Sequence, residues 1–186
     1  MKIVYLHGLG STGISDKSAA LDLAFGEKNV LKPNLPLDPE QTIDLVSKLV
    51  AANKKDGFIF VGTSLGGFWA NYFGQMFQSQ CVLVNPCLDP GDAFADRTGT
   101  FVTNYVSSEK VEFTPEIIKS FKSAQTEAMT VNLDLVTMFL AEDDDVIDYR
   151  TTLDQMPGVD TYITEDGGHR YESHWDNVVA LVRMLA

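Results

Sequence analysis

One hydroxyl in this sequence is set among glycines. Gly62-Thr63-Ser64-Leu65-Gly66, followed by Gly67, sits between the apolar run Phe58–Val61 and a second apolar, aromatic stretch. A serine at the apex of a sharp strand-to-helix turn needs small neighbours two residues to either side, because side chains there would collide with the turn. Such a turn lifts the hydroxyl clear of the sheet. It also sets the free N–H groups and partial positive charge of a helix N-terminus behind it. Both favour the oxyanion that forms when a hydroxyl attacks a carbonyl. The competing role for Ser64 is a cap at an ordinary glycine-rich turn. The strand before it and the helix after it favour the nucleophile.

A nucleophilic serine needs a base, and the base needs an acid to orient it. The chain holds three histidines, His7, His169 and His174. His169, in Glu165-Asp166-Gly167-Gly168-His169, follows the last strand-like run and precedes the final helix, so a loop can hang it over the sheet edge. His174 falls inside the expected helix and reads as a packing or solvent-facing residue. The acid is expected in the loop after Val136–Leu140, where Glu142, Asp143, Asp144, Asp145 and Asp148 cluster. Asp144 is favoured, because Asp145-Val146-Ile147 after it lets the apolar pair tuck under the sheet while the carboxylate faces the histidine. Asp145 and Asp143 are the next choices. The alternative for this run is a solvated loop or a calcium site, although it lacks the glycine and spaced acids of an EF-hand.

A second oxyanion donor should come from the loop after the first strand, His7-Gly8-Leu9-Gly10-Ser11. There the Leu9 N–H can face the substrate oxygen, with the Leu65 N–H as its partner. His7 precedes this turn and reads as a residue that binds loops together, not as a base.

These residues need a scaffold that brings distant loops to one edge. Six short apolar runs, at 2–6, 29–33, 57–61, 81–85, 135–140 and 159–164, alternate with helix-length segments. Continuous apolar strands of this kind indicate βαβ units and a parallel sheet. Asp38-Pro39-Glu40 caps a helix over 42–52 with an Ile43, Val46, Leu49, Val50 stripe. Residues 65–78 are apolar nearly all round and should be buried. The chain closes with a helix over 173–185. Residues 88–130 break the alternation, with Phe94, Phe101, Phe113, Phe121 and Met129 among charges and a helix start at Thr114-Pro115-Glu116. This segment is expected to form a short helical lid that shapes an apolar acyl pocket.

The 186 residues fit one domain, 1–186, and the formal net charge of −12 repels nucleic acid and anionic membrane surfaces. No run reaches the ~20 apolar residues of a membrane span, and the N-terminal apolar run is too short for a signal peptide. A cytoplasmic location is the expectation. Cys81 and Cys87 read as reduced, packed thiols. A homodimer through an edge strand or the 88–130 segment is allowed but not demanded.

Together the stretches "YLHGLGST", "VGTSLGGFWA", "LVNP", "DDVIDYR" and "GGH" resemble the α/β-hydrolase superfamily over nearly the whole chain. They are most similar to the small single-domain bacterial esterases of the YqiA type. That resemblance implies a three-layer α/β/α sandwich on a parallel sheet. It also implies Ser64, Asp144 and His169 as a triad that hydrolyses acyl esters, with thioesters possible. So short a lid points to small or medium acyl groups, and a triad of this kind needs no metal or organic cofactor. The rivals are an acyl thioesterase or an amidase on the same residues, a non-catalytic binding protein of the same fold, and a lyase or perhydrolase variant.

Overall fold

The computed structural model describes residues 1–105, 107–128 and 132–186. In chain order its elements are β1 Lys2–Leu6, α1 Asp16–Phe25, β2 Val30–Leu31, α2 Pro39–Ala52, β3 Phe58–Thr63, α3 Leu65–Phe77, β4 Gln80–Val84 and α4 Pro90–Ala93. Then follow β5 Phe101–Thr103, β6 Lys110–Glu112, α5 Pro115–Ala128, β7 Val136–Ala141, α6 Tyr149–Gln155, β8 Asp160–Thr164 and α7 Trp175–Leu185.

Six strands form one parallel sheet in the order β2-β1-β3-β4-β7-β8. The inner strands are largely apolar because both faces are covered, whereas the edge strand β8 leaves Tyr162 and Ile163 exposed. Val4, Leu6, Phe60, Leu83, Met138 and Leu140 point into one core layer, against residues from α2, α3 and α5. Their alternates Ile3, Tyr5, Ile59, Val61, Val82, Val84 and Phe139 point into the other, against α1 and α7. The side-chain period of two thus divides the inner strands between two cores. The result is a three-layer α/β/α sandwich. No helix among the described residues is long and apolar enough to cross a membrane.

Local chemistry explains the helix starts. Asp38 caps α2 by accepting from Glu40 N–H, with Pro39 in the first turn. Ser15 and Ser18 bond reciprocally to open α1, a helix with no clear apolar stripe in sequence. All of α3 from Leu65 to Gly74 is buried, as its apolar composition requires. The last helix starts at Trp175, so His174 is its cap residue and not an interior one.

The 88–130 segment departs from a purely helical lid. It holds α4, the antiparallel β5–β6 hairpin and α5. Its strands are three residues long, too short to show an alternation. Phe94 packs tilted against Phe113 and edge-on against Phe121 inside the core, and none of the three lines the cavity. Phe101 is exposed. Met129 and Thr130 lie outside the described residues.

Candidate active site

The order of the strands changes direction between β1 and β3, and loops leaving the carboxyl ends of such strands form a crevice. Leu6 is paired with Gly62, so the 7–13 loop and the turn at Ser64 leave the sheet side by side. A Cβ on Gly8 would lie 3.4 Å from the Ser64 Cβ.

Ser64 has φ 55° and ψ −124°, a backbone state that costs a non-glycine residue about 1–3 kcal/mol. The surroundings hold it there. Its N–H donates to Val84 O at 3.0 Å, and its carbonyl accepts from Gly67 N–H at 2.8 Å and Cys87 N–H at 3.1 Å. The flanking glycines are obligatory for packing. A Cβ at position 62 would stand 1.9 Å from Gly66 O, and one at position 66 would stand 2.0 Å from Leu6 O. A Cβ at position 67 would meet Pro86 Cβ at 2.7 Å.

Asp144 leaves the end of β7 and His169 the loop after β8. They meet, with Nδ1 of His169 at 2.9 Å and 3.0 Å from the two carboxylate oxygens of Asp144. The Asp144 side chain is 1% exposed. Its Oδ1 also accepts from Val146 N–H at 2.8 Å and Ile147 N–H at 2.9 Å. Burial alone would raise this carboxyl. The His169 hydrogen bond and the two backbone donors outweigh it, and the group titrates below its usual value.

The other acids of the loop have separate partners. Asp143 accepts from Gly168 N–H at 2.7 Å, Asp148 caps α6 through Arg150 N–H, and Glu142 accepts from the Tyr149 hydroxyl. Asp145 is exposed. Asp144 is thus the acid of this loop that meets His169, while Asp143 steadies the backbone one residue before it. His174 pairs instead with Asp166 at 2.7 Å.

Asn85 was legible only as part of "LVNP", yet it ties the site together. It is 2% exposed and has φ 41°. Its Oδ1 accepts from Ala141 N–H at 2.9 Å, and its Nδ2 donates to Gly168 O at 2.9 Å and His169 O at 3.2 Å. One buried amide therefore spans the ends of β4 and β7 and the histidine loop. The available signal was a lone polar residue ending an apolar strand.

His7 has a defined tautomer. Its Nε2 accepts from Leu35 N–H at 2.9 Å, so Nδ1 carries the proton and donates to Gly8 O at 2.8 Å. Burial pushes its pKa down, which keeps the ring neutral. Because the peptide unit is planar, fixing the Gly8 carbonyl also fixes the direction of the Leu9 N–H. Leu65 opens α3, so its N–H belongs to the free first turn. Cys81 and Cys87 are buried free thiols, and desolvation pushes the Cys87 thiol up to about 12. Among the described residues no hydrogen bond links Ser64 Oγ to His169.

A cavity of about 540 Å³ opens beside the serine turn, walled by the 7–12 and 34–38 loops, Leu65, Trp69 and the β5–β6 hairpin.

The sequence profile described as "Uncharacterised protein family (UPF0227)" matches residues 2–186. The chain belongs to the UPF0227 family. A UPF0227 protein of Pectobacterium atrosepticum is 24% identical over 183 residues, covering 95% of this chain and 87% of that protein. One from Yersinia enterocolitica is 26% identical over 178 residues, covering 91% of each. Among solved structures, this UPF0227 chain is similar to mouse alpha/beta hydrolase domain-containing protein 10, with TM-score 0.72, 13% identity, and coverage of 99% and 88% of the two chains. It is also similar to a monoacylglycerol lipase of Paleococcus ferrophilus, with TM-score 0.70, 14% identity and coverage of 99% and 94%. Est1E from Butyrivibrio proteoclasticus gives 0.68 at 14% identity, covering 98% and 85%. At these identities the likeness establishes the α/β-hydrolase fold.

Proposed function

We propose that this chain is a serine hydrolase that cleaves carboxylic esters of small to medium acyl groups. One observation carries the reading: the buried Asp144 carboxylate lies against Nδ1 of His169, and the residue held at φ 55° between β3 and α3 is a serine. A carboxylate on Nδ1 holds that proton, so the lone pair resides on Nε2, the nitrogen that can serve a nucleophile.

In the proposed reaction Nε2 of His169 takes the Ser64 proton as Oγ attacks the ester carbonyl. The Leu9 and Leu65 N–H groups receive the developing oxyanion, each worth on the order of 3 kcal/mol. His169 then returns the proton to the departing alcohol. Water, deprotonated by the same nitrogen, releases the acid and frees Ser64. Asp144 stays ionised and stabilises the imidazolium. Hydrogen bonds of this kind tighten when substrate binds, so contact between Ser64 Oγ and His169 belongs to the complex.

Labelling with a fluorophosphonate, read by mass spectrometry, tests the assignment. The adduct is expected on Ser64, absent in Ser64→Ala and strongly slowed in His169→Ala. Undiminished labelling of His169→Ala would reject His169 as the base. Comparing nitrophenyl esters with acyl-coenzyme A separates esterase from thioesterase.

A further inference from the structure

The cavity has a polarity and a direction. Part of its wall is apolar, made by Leu9, Leu35, Leu65, Trp69, Val102 and Val111. The charged residues lining it, Asp38 and Glu109, are both negative, and no lysine or arginine lines it among the described residues. The one imidazole in the wall, His7, donates from Nδ1 and accepts at Nε2, which leaves it neutral. The whole chain carries −12, so no distant field offsets these carboxylates.

Ser64, Asp144 and His169 all lie outside the cavity lining, whereas Leu9 and Leu65, which carry the proposed oxyanion donors, belong to it, and this sets the direction. In an ester the leaving oxygen must receive its proton from the base, so the alcohol arm faces His169. The acyl arm then lies on the far side of the reacting carbon, past Leu9 and Leu65 and into the cavity.

Resting on the proposed hydrolase reading, we infer that the cavity beneath the β5–β6 hairpin is an acyl-arm subsite for chains whose far end carries no negative charge. An apolar chain follows the leucine and valine wall. A neutral or cationic terminus meets Asp38 and Glu109, whereas a terminal carboxylate or phosphate is repelled by them.

The test uses umbelliferyl octanoate and the matching suberate half-ester, whose acyl arm ends in a carboxylate. The octanoate is expected to be cleaved with a kcat/KM about tenfold higher at low salt. The gap should narrow in the double variant Asp38→Asn, Glu109→Gln, in which asparagine preserves the α2 cap. A carboxylate placed on the alcohol arm of an ester should cost less than one on the acyl arm. Equal cleavage of octanoate and suberate, a gap unchanged in the double variant, or a larger cost on the alcohol arm would overturn the inference. Turnover no faster than that of Ser64→Ala would sink the hydrolase reading. The subsite is then judged by binding to Ser64→Ala, followed through tryptophan fluorescence. Tighter binding of octanoyl than suberyl amide sustains it, and equal binding refutes it.

Discussion

At the scale of single residues, the site is a chain of hydrogen bonds that each fix one atom. Asp144 orients His169, Asn85 holds the carbonyls of Gly168 and His169, and His7 aims the Leu9 peptide. Asp144→Asn leaves the shape but destroys the tautomer control. In the proposed triad it is expected to lower kcat on the order of ten-thousand-fold with KM little changed, measured by steady-state kinetics. Asn85→Ala strands the buried Ala141 N–H and should cost about 1–3 kcal/mol of stability, read from urea midpoints. Asn85→Asp restores an acceptor for Ala141 but not the donor to the histidine loop. It should therefore regain part of the stability while kcat stays depressed.

At the scale of elements, the β5–β6 hairpin is tied to the loop that carries the Leu9 N–H. Tyr105 N–H donates to Gly10 O at 2.8 Å, and Asn104 Nδ2 donates to Ser11 O at 3.0 Å. Gly10 has φ +70°, and a Cβ there would approach Thr103 O to 2.8 Å. Gly10→Ala is thus strained twice, by its backbone and by the hairpin above it. The hairpin should lift, with faster limited proteolysis within 101–112 and a kcat/KM reduced by more than about tenfold. Gly62→Ala has no such outlet, because its Cβ meets backbone of α3. It should cost about 3 kcal/mol or more, seen as a lowered urea midpoint.

At the scale of the whole molecule, two buried titratable groups set a dependence on pH. His7 binds a proton less readily in the folded state than at its ordinary value of 6.5. Below that value the unfolded chain takes up a proton that the folded one refuses, so stability falls as pH drops through 6.5. Asp144 acts in the same direction at lower pH, as a carboxyl depressed below 3.8 on folding. Its contribution is fully present above 3.8 and is lost as pH falls through the lower folded value. Urea midpoints followed downward from neutral pH should show the first decline, and His7→Gln should flatten it. The second decline should shrink in Asp144→Asn.

The amino-acid order by itself determined the six strands of the parallel sheet, the buried α3 and the turn at Ser64. These are set by neighbours in sequence: period-two burial on a two-sided sheet, an apolar helix, and glycines where a Cβ would strike backbone. It also narrowed the acid to a run of aspartates and the histidine to a loop after the last strand. Only the tertiary structure decided which aspartate meets His169. Val146 and Ile147 turn the loop so that Asp144 alone is buried against the ring, while Asp143 bonds Gly168. The same holds for the roles of Asn85 and His7, whose partners Ala141, Gly168, His169 and Leu35 lie 28 or more residues away in the chain, and for the hairpin, whose three-residue strands carry too little pattern to read. Such contacts depend on where loops land after the sheet has assembled, and no local spacing encodes that.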